Sequence, residues 1–175
     1  RSLDPAFQAG DLAIIQGLGY PGQNRSHFKS IALWETGGDG SQAGKNGWLT
    51  EDIEDMTGSD TLDAHGISLD GGMGIFLSSS GVWLSMTSLN QFRSLSLATE
   101  KLSSNTKANS ANPALSMIMD RGKTLNNSMA SISSKVEKLK RRSDIRYDAG
   151  EFGRQAAMAA QLIDAGIDAP VLKIK

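Results

Sequence analysis

Arg25, Ser26 and His27 are consecutive residues whose types could do chemistry together. Ser26 offers a hydroxyl that serves as a nucleophile or a metal donor, Arg25 a fixed positive charge, and His27 a titratable or metal-binding nitrogen. The preceding sequence supplies a frame for them. Leu12 to Ile15 is a short apolar run with two β-branched residues, which predicts a buried strand. Gly17, Gly19, Pro21 and Gly22 then break the regular backbone. Beyond Asn24, the residues Phe28, Ile31, Ala32 and Leu33 mark one side of a helix entered near Asn24 to Ser26. Strand, turn and helix N-terminus make a natural oxyanion holder, because the first N–H groups of a helix point outward with partial positive charge. In open α/β sheets such sites form beyond the carboxyl ends of the strands.

The same residues fit a plainer description. Ser and Asn are common helix caps, and a neighbouring His is often a surface residue. Ser26 and His27 are adjacent, so on a regular helix they diverge by about 100° and do not face one point. Residue types and spacing leave both open: an anion or metal site, and a capped helix with a surface histidine.

Other candidates are weaker. Asp39 and Ser41 alternate as calcium ligands do, but without the terminal bidentate Glu the segment from Gly37 to Gly47 reads as a loop. Asp60, Asp63, His65 and Asp70 form a denser group, in which Asp63 and His65 could point the same way on a strand. No third ligand is fixed by spacing. Gly71, Gly72 and Gly74 suggest a phosphate loop, yet no Lys-Ser/Thr pair follows, and ordinary turn chemistry explains them.

The rest of the chain supplies scaffolding. Residues 1–10 end a helix at Gly10, and Trp48, Leu49, Ile53 and Met56 suit a short helix with an acidic outer face. Gly66 to Leu84 reads as two or three short strands, including an apolar Ile75-Phe76-Leu77 run. Ser88 to Lys101 contains a short helix, and the polar stretch Ser103 to Asn112 a connection. Pro113 then opens a long helix. Its seam of Leu125, Met129, Ile132, Val136 and Leu139 steps by four and three, so it is either a partner interface or a face packed on its own domain. Lys135, Lys138, Lys140, Arg141 and Arg142 make its end basic, which complements the helix dipole. A final helix, about Ala149 to Ala165, returns into a strand over Val171 to Ile174. Strand, helix and returning strand predict an α/β arrangement with helices covering a largely parallel sheet.

Composition narrows the class. At 175 residues the chain can build one core, and 39% apolar with 21% charged residues is ordinary for a globular domain. A formal charge of −1 gives no electrostatic case for nucleic acid. The absence of cysteine excludes disulfides, thiolate catalysis and Cys-ligated zinc. No apolar run approaches the roughly 20 residues of a membrane span.

Gly17-Leu-Gly-Tyr-Pro-Gly-Gln-Asn-Arg-Ser-His-Phe28, then Leu33-Trp34-Glu35-Thr36-Gly37 and Gly47-Trp48-Leu49, resembles the DUF1501 family of the alkaline phosphatase and sulfatase-like superfamily. The similarity resumes at Phe152-Gly153-Arg154-Gln155, Ala159 to Ile163 and Ala165-Gly166, with a divergent middle from 60 to 146. The resemblance implies part of a three-layer alkaline phosphatase-like fold and a metal-dependent hydrolase of phosphate or sulfate esters. It casts Ser26 as nucleophile and metal ligand, Arg25 as the group that orients the anion, and His27 as metal-supporting. It also implies divalent ions (zinc, calcium, magnesium or manganese) and an extracytoplasmic home.

The family's other ligand motifs are an Asp before residue 1 and Asp-Thr-His, Ser-Glu-Phe-Gly-Arg and His-Gly after Lys175. None of these complete motifs stands in these residues, so the resemblance implies an internal segment, inert by itself. Glu151-Phe152-Gly153-Arg154 imitates one of them, but Asp148 and Glu151 sit at capping-box spacing, which makes Glu151 structural. The competing class is a non-catalytic binding or assembly module that uses the long helix 113–140, with a homo-oligomer as its product.

Overall fold

The computed structural model describes residues 3–23, 25–38, 42–56, 62–104, 113–139 and 146–175, with 51, 54–56 and 100–104 by backbone only. Among the described residues there are six α-helices: α1 Asp4–Ala9, α2 His27–Thr36, α3 Trp48–Met56, α4 Leu89–Ser104, α5 Pro113–Lys138 and α6 Glu151–Asp164. Three short strands, β1 Gly66–Ser68, β2 Trp83–Ser85 and β3 Val171–Lys173, form a sheet in the order β2-β1-β3. Both pairings are parallel, so the chain is a mixed α/β protein with a small parallel sheet.

The register explains how the sheet is covered. Ile67, Leu84 and Leu172 stand side by side in one row. With Leu69, Met86 and Ile174 they face one apolar cluster that contains Phe92 of α4, Met129 and Ile132 of α5, and Met158 and Leu162 of α6. Period-two alternation along each strand puts Gly66 and Trp83 on the other side. There the missing side chain of Gly66 makes room: a Cβ would lie 2.9 Å from the Trp83 ring and 3.1 Å from Phe76. Phe76 and Trp83 stack with centroids 5.1 Å apart. Phe76 belongs to a 3-10 turn, Gly74–Phe76, against which α2 and α3 pack.

Several expected elements are found. Ser26 caps α2, Gly10 ends α1 with φ +83°, Pro113 opens α5, and the returning strand is β3. The seam of α5 packs on its own domain, since Met129 and Ile132 are buried and Val136 lies against the same cluster. The connection over 105–112, the Asp39–Ser41 segment, Asp60 and the basic residues 140–142 lie outside the described residues.

Three expectations are corrected. Leu12 to Ile15 forms no strand: Ile14 is 61% and Ile15 77% exposed, and the run belongs to no strand of the three-stranded sheet. Apolar content gave the prediction, but a strand also needs a neighbour to satisfy its backbone groups. The Ile75-Phe76-Leu77 run forms no strand: Ile75 and Phe76 close the 3-10 turn that Gly74 opens, Leu77 follows as its cap, and Phe76 plugs the space over Gly66 and Trp83. Asp148 is not the cap of α6; Gly150 is. Gly153 is buried, and a Cβ there would sit 2.1 Å from the Asp148 carbonyl oxygen, so the chain at 148 crosses closely over the first turn instead of starting it. Glu151 remains in that first turn, exposed, where its charge suits the dipole.

Candidate functional site

Arg25, Ser26 and His27 are all exposed at the entry to α2. Ser26 has extended backbone (φ −75°, ψ 114°), and its Oγ accepts the N–H of Lys29 at 3.4 Å while its carbonyl accepts Ser30 N–H at 3.0 Å. This is capping geometry, and it leaves the N–H groups of His27 and Phe28 in the unbonded first turn of the helix. The opposite end of α2 is anchored. Leu33 is buried, and Gly74 lies so close that a Cβ would reach 2.1 Å from the Glu35 carboxylate. The 3-10 turn thus fixes the helix whose first residues carry the candidate chemistry.

One turn along α2 from Ser26, Ser30 bonds the Tyr20 hydroxyl at 3.0 Å. Both line a cavity of about 600 Å³ with Leu18, Gln23, Trp34 and Trp48. The spacing of four places Ser26 and Ser30 on one face of the helix.

The fold separates the described members of the group around residues 60–70. Asp63 and His65 lie before β1, at the amino edge of the sheet, and Asp70 lies past its carboxyl end. Each has its own partners. Asp63 accepts Ser131 Oγ at 2.6 Å, Lys135 Nζ at 2.5 Å and Asp168 N–H at 2.7 Å, and its carbonyl accepts the Ser128 hydroxyl. Burial pushes the Asp63 carboxyl up, but these hydrogen bonds and the Lys135 charge outweigh it and hold the group below its ordinary value. His65 receives the Val82 N–H on Nδ1 at 3.0 Å and tilts against Trp83 at 5.7 Å. Among the described residues, no group of three or more His, Cys, Asp or Glu is arranged to hold a metal ion.

Asp70 heads a cluster that residue spacing did not reveal. Its Oδ1 accepts Ser68 Oγ at 2.5 Å, Gly72 N–H at 2.9 Å and Lys173 Nζ at 3.2 Å, while Oδ2 meets Lys173 Nζ at 2.9 Å. Lys173 Nζ and Ser68 Oγ also reach the Gly72 carbonyl, at 3.1 and 2.6 Å. Burial raises the Asp70 carboxyl, and the Ser68, Lys173 and Gly72 donors more than reverse this. The group sits at the carboxyl edge of β1 and β3, where α/β sites form. Ser68 is nonetheless completely buried, and its one proton is committed to Asp70 or Gly72, so it is not placed to attack a substrate. The visible signals were the Asp-Gly-Gly turn and a lysine interrupting Val-Leu-Lys-Ile, but only parallel pairing of β1 with β3 brings them together.

No family model, curated protein or solved structure matches this chain. No helix among the described residues is long and apolar enough to cross a membrane.

Proposed function

We propose that this chain is part of a metal-dependent hydrolase of phosphate or sulfate esters, similar to the DUF1501 proteins, in which Ser26 is the nucleophile and Arg25 orients the anion. The observation that carries this reading is the exposed entry of α2, where Arg25, Ser26 and His27 surround the first turn of a helix fixed at its other end. Arg25 would grip two ester oxygens through its planar fork, and the His27 and Phe28 N–H groups would take a third. Ser26 would bring its hydroxyl to the phosphorus or sulfur.

In such hydrolases a divalent metal lowers the pKa of the attacking hydroxyl and offsets anionic charge. Ser26 and His27 supply two donors, fewer than the four ligands of a tetrahedral zinc site. The described residues therefore do not fit a complete metal centre. The isolated chain is accordingly proposed to be inert.

Sulfate and vanadate titrations read by backbone amide shifts test the reading. Saturable shifts at residues 26–29 that disappear in Arg25→Gln support it, and an unresponsive α2 entry overturns it. An Asp-Thr-His encoded directly after Lys175 would be independent support.

A second reading, an assembly module using α5, draws on Leu115, Met117 and Ile118, which are exposed along the first turns of that helix. A concentration-dependent dimer in sedimentation equilibrium, abolished by Ile118→Glu, would favour it.

A further inference from the structure

His65 is only 4% exposed, yet it lines an open cleft of about 790 Å³ between the amino edge of the sheet and α5. Its Nδ1 accepts the Val82 N–H, so the ring in that bond carries its proton on Nε2. No described residue accepts from that Nε2–H. Among the described residues only the Ser133 hydroxyl is a buried side-chain polar atom without a partner, so the His65 Nε2–H keeps contact with the water of the cleft, where the acceptor group of a ligand could take that water's place.

The other walls of the cleft define what such an acceptor would be attached to. Val82, Trp83, Met117 and Leu125 are apolar. Trp83 directs its own Nε1–H to the Ser80 carbonyl at 3.0 Å and stacks one side on Phe76, so its polar group is already used and it offers carbon surface. Arg121 also lines the cleft and has no acidic partner among the described residues. Asp120, the one acid of the lining, is paired with Lys123 at 3.3 Å, and the Thr124 hydroxyl donates to the Asp120 carbonyl at 3.1 Å. The available polar groups are thus an imidazole N–H and a guanidinium, set among an indole, a thioether and branched aliphatic chains. The volume falls within the roughly 300–1,000 Å³ of small-molecule sites.

We propose that this cleft binds a small aromatic carboxylate, its ring against Trp83 and Met117 and its carboxylate shared by His65 Nε2–H and Arg121. The site is separate from the α2 entry, and it stands whether or not the hydrolase reading does.

Naphthoate titrated into the full chain is the test, followed by long-range proton–nitrogen correlation of the imidazoles. The chain has two histidines, so His27→Gln assigns them. The expected result is a saturable shift of His65 Nε2 with His27 unmoved. Arg121→Gln, an exposed change that spares the core, should weaken binding about tenfold or more, as should replacing naphthoate by neutral naphthylmethanol. Three outcomes overturn the proposal: no saturable shift of His65 up to the solubility limit, equal affinity for acid and alcohol, or full affinity in Arg121→Gln. Binding that falls in Arg25→Gln while Arg121→Gln binds normally would also overturn it, by placing the anion at α2.

Discussion

Lys135 and Asp63 lie 72 positions apart and meet at 2.5 Å, which ties α5 to the approach to β1. The same lysine reaches the Gly166 carbonyl at 3.2 Å, and Asp63 also takes the Asp168 N–H, so one ion pair joins α5, β1 and the turn into β3. Parallel strands cannot be joined by a tight turn, and contacts of this kind hold their ends together.

Asp63→Ala should therefore cost more than a surface ion pair. It leaves the Ser131 hydroxyl and the Asp168 N–H without their acceptor and removes the partner of Lys135. Because Lys135 is 37% exposed it can return to water, so the loss is set at about 2–3 kcal/mol, below that of a fully buried pair. Urea denaturation should show a lower midpoint with an unchanged slope. Arg93→Ala, which breaks the exposed pair with Glu137, should cost under about 1 kcal/mol in the same experiment.

Acid should find the two buried carboxylates. Asp63 and Asp70 are both held below their ordinary value of 3.8 in the folded chain. A depressed folded pKa contributes stability that is fully present above the unfolded value and is lost as pH falls through the folded one. Their contribution should be constant between about pH 7 and 5 and decline below about pH 4. Midpoints measured across this range should fall less steeply at the acid end for the Asp63→Asn/Asp70→Asn double variant than for the parent chain. Equal slopes would mean that neither carboxylate is specially stabilised.

What the residues disclosed in advance follows from how local each cause is. Caps, glycine stops and Pro113 act within one turn, so the entry of α2, the end of α1 and the start of α5 could be read directly. The stripe at Met129 and Ile132 repeats at helical spacing, and its burial followed. Leu12 to Ile15 failed because strand formation depends on a distant partner that apolar content does not reveal. The Ser68–Asp70–Lys173 cluster was hidden for the same reason, since Asp70 and Lys173 lie 103 positions apart and meet only through the β1–β3 register. The exposed Arg25, Ser26 and His27 were found where expected, but the strand meant to carry them was not.

Glycine substitutions should separate open from crowded positions. Gly122 lies inside α5, and a methyl added there would meet nothing within 4 Å, so Gly122→Ala should stabilise the chain by about 0.5–1 kcal/mol through helix propensity. Gly66→Ala places its methyl against two rings that already stack and should cost about 1–3 kcal/mol. Thermal midpoints that move in the same direction for both would contradict this assignment of space.

The α5 seam yields the sharpest contrast between packing and assembly. Ile132 is fully buried within the cluster shared by α4 and the sheet, whereas Leu125, earlier in the same stripe, is 40% exposed. Ile132→Ala should remove about 2–5 kcal/mol, the transfer and cavity terms of a core aliphatic residue. Leu125→Ala should cost less than about 1 kcal/mol, because only part of its surface leaves water on folding. These values should not depend on protein concentration if the seam is internal. A Leu125→Ala loss as large as that of Ile132→Ala, growing as the chain is concentrated, would instead identify the stripe as a contact between copies.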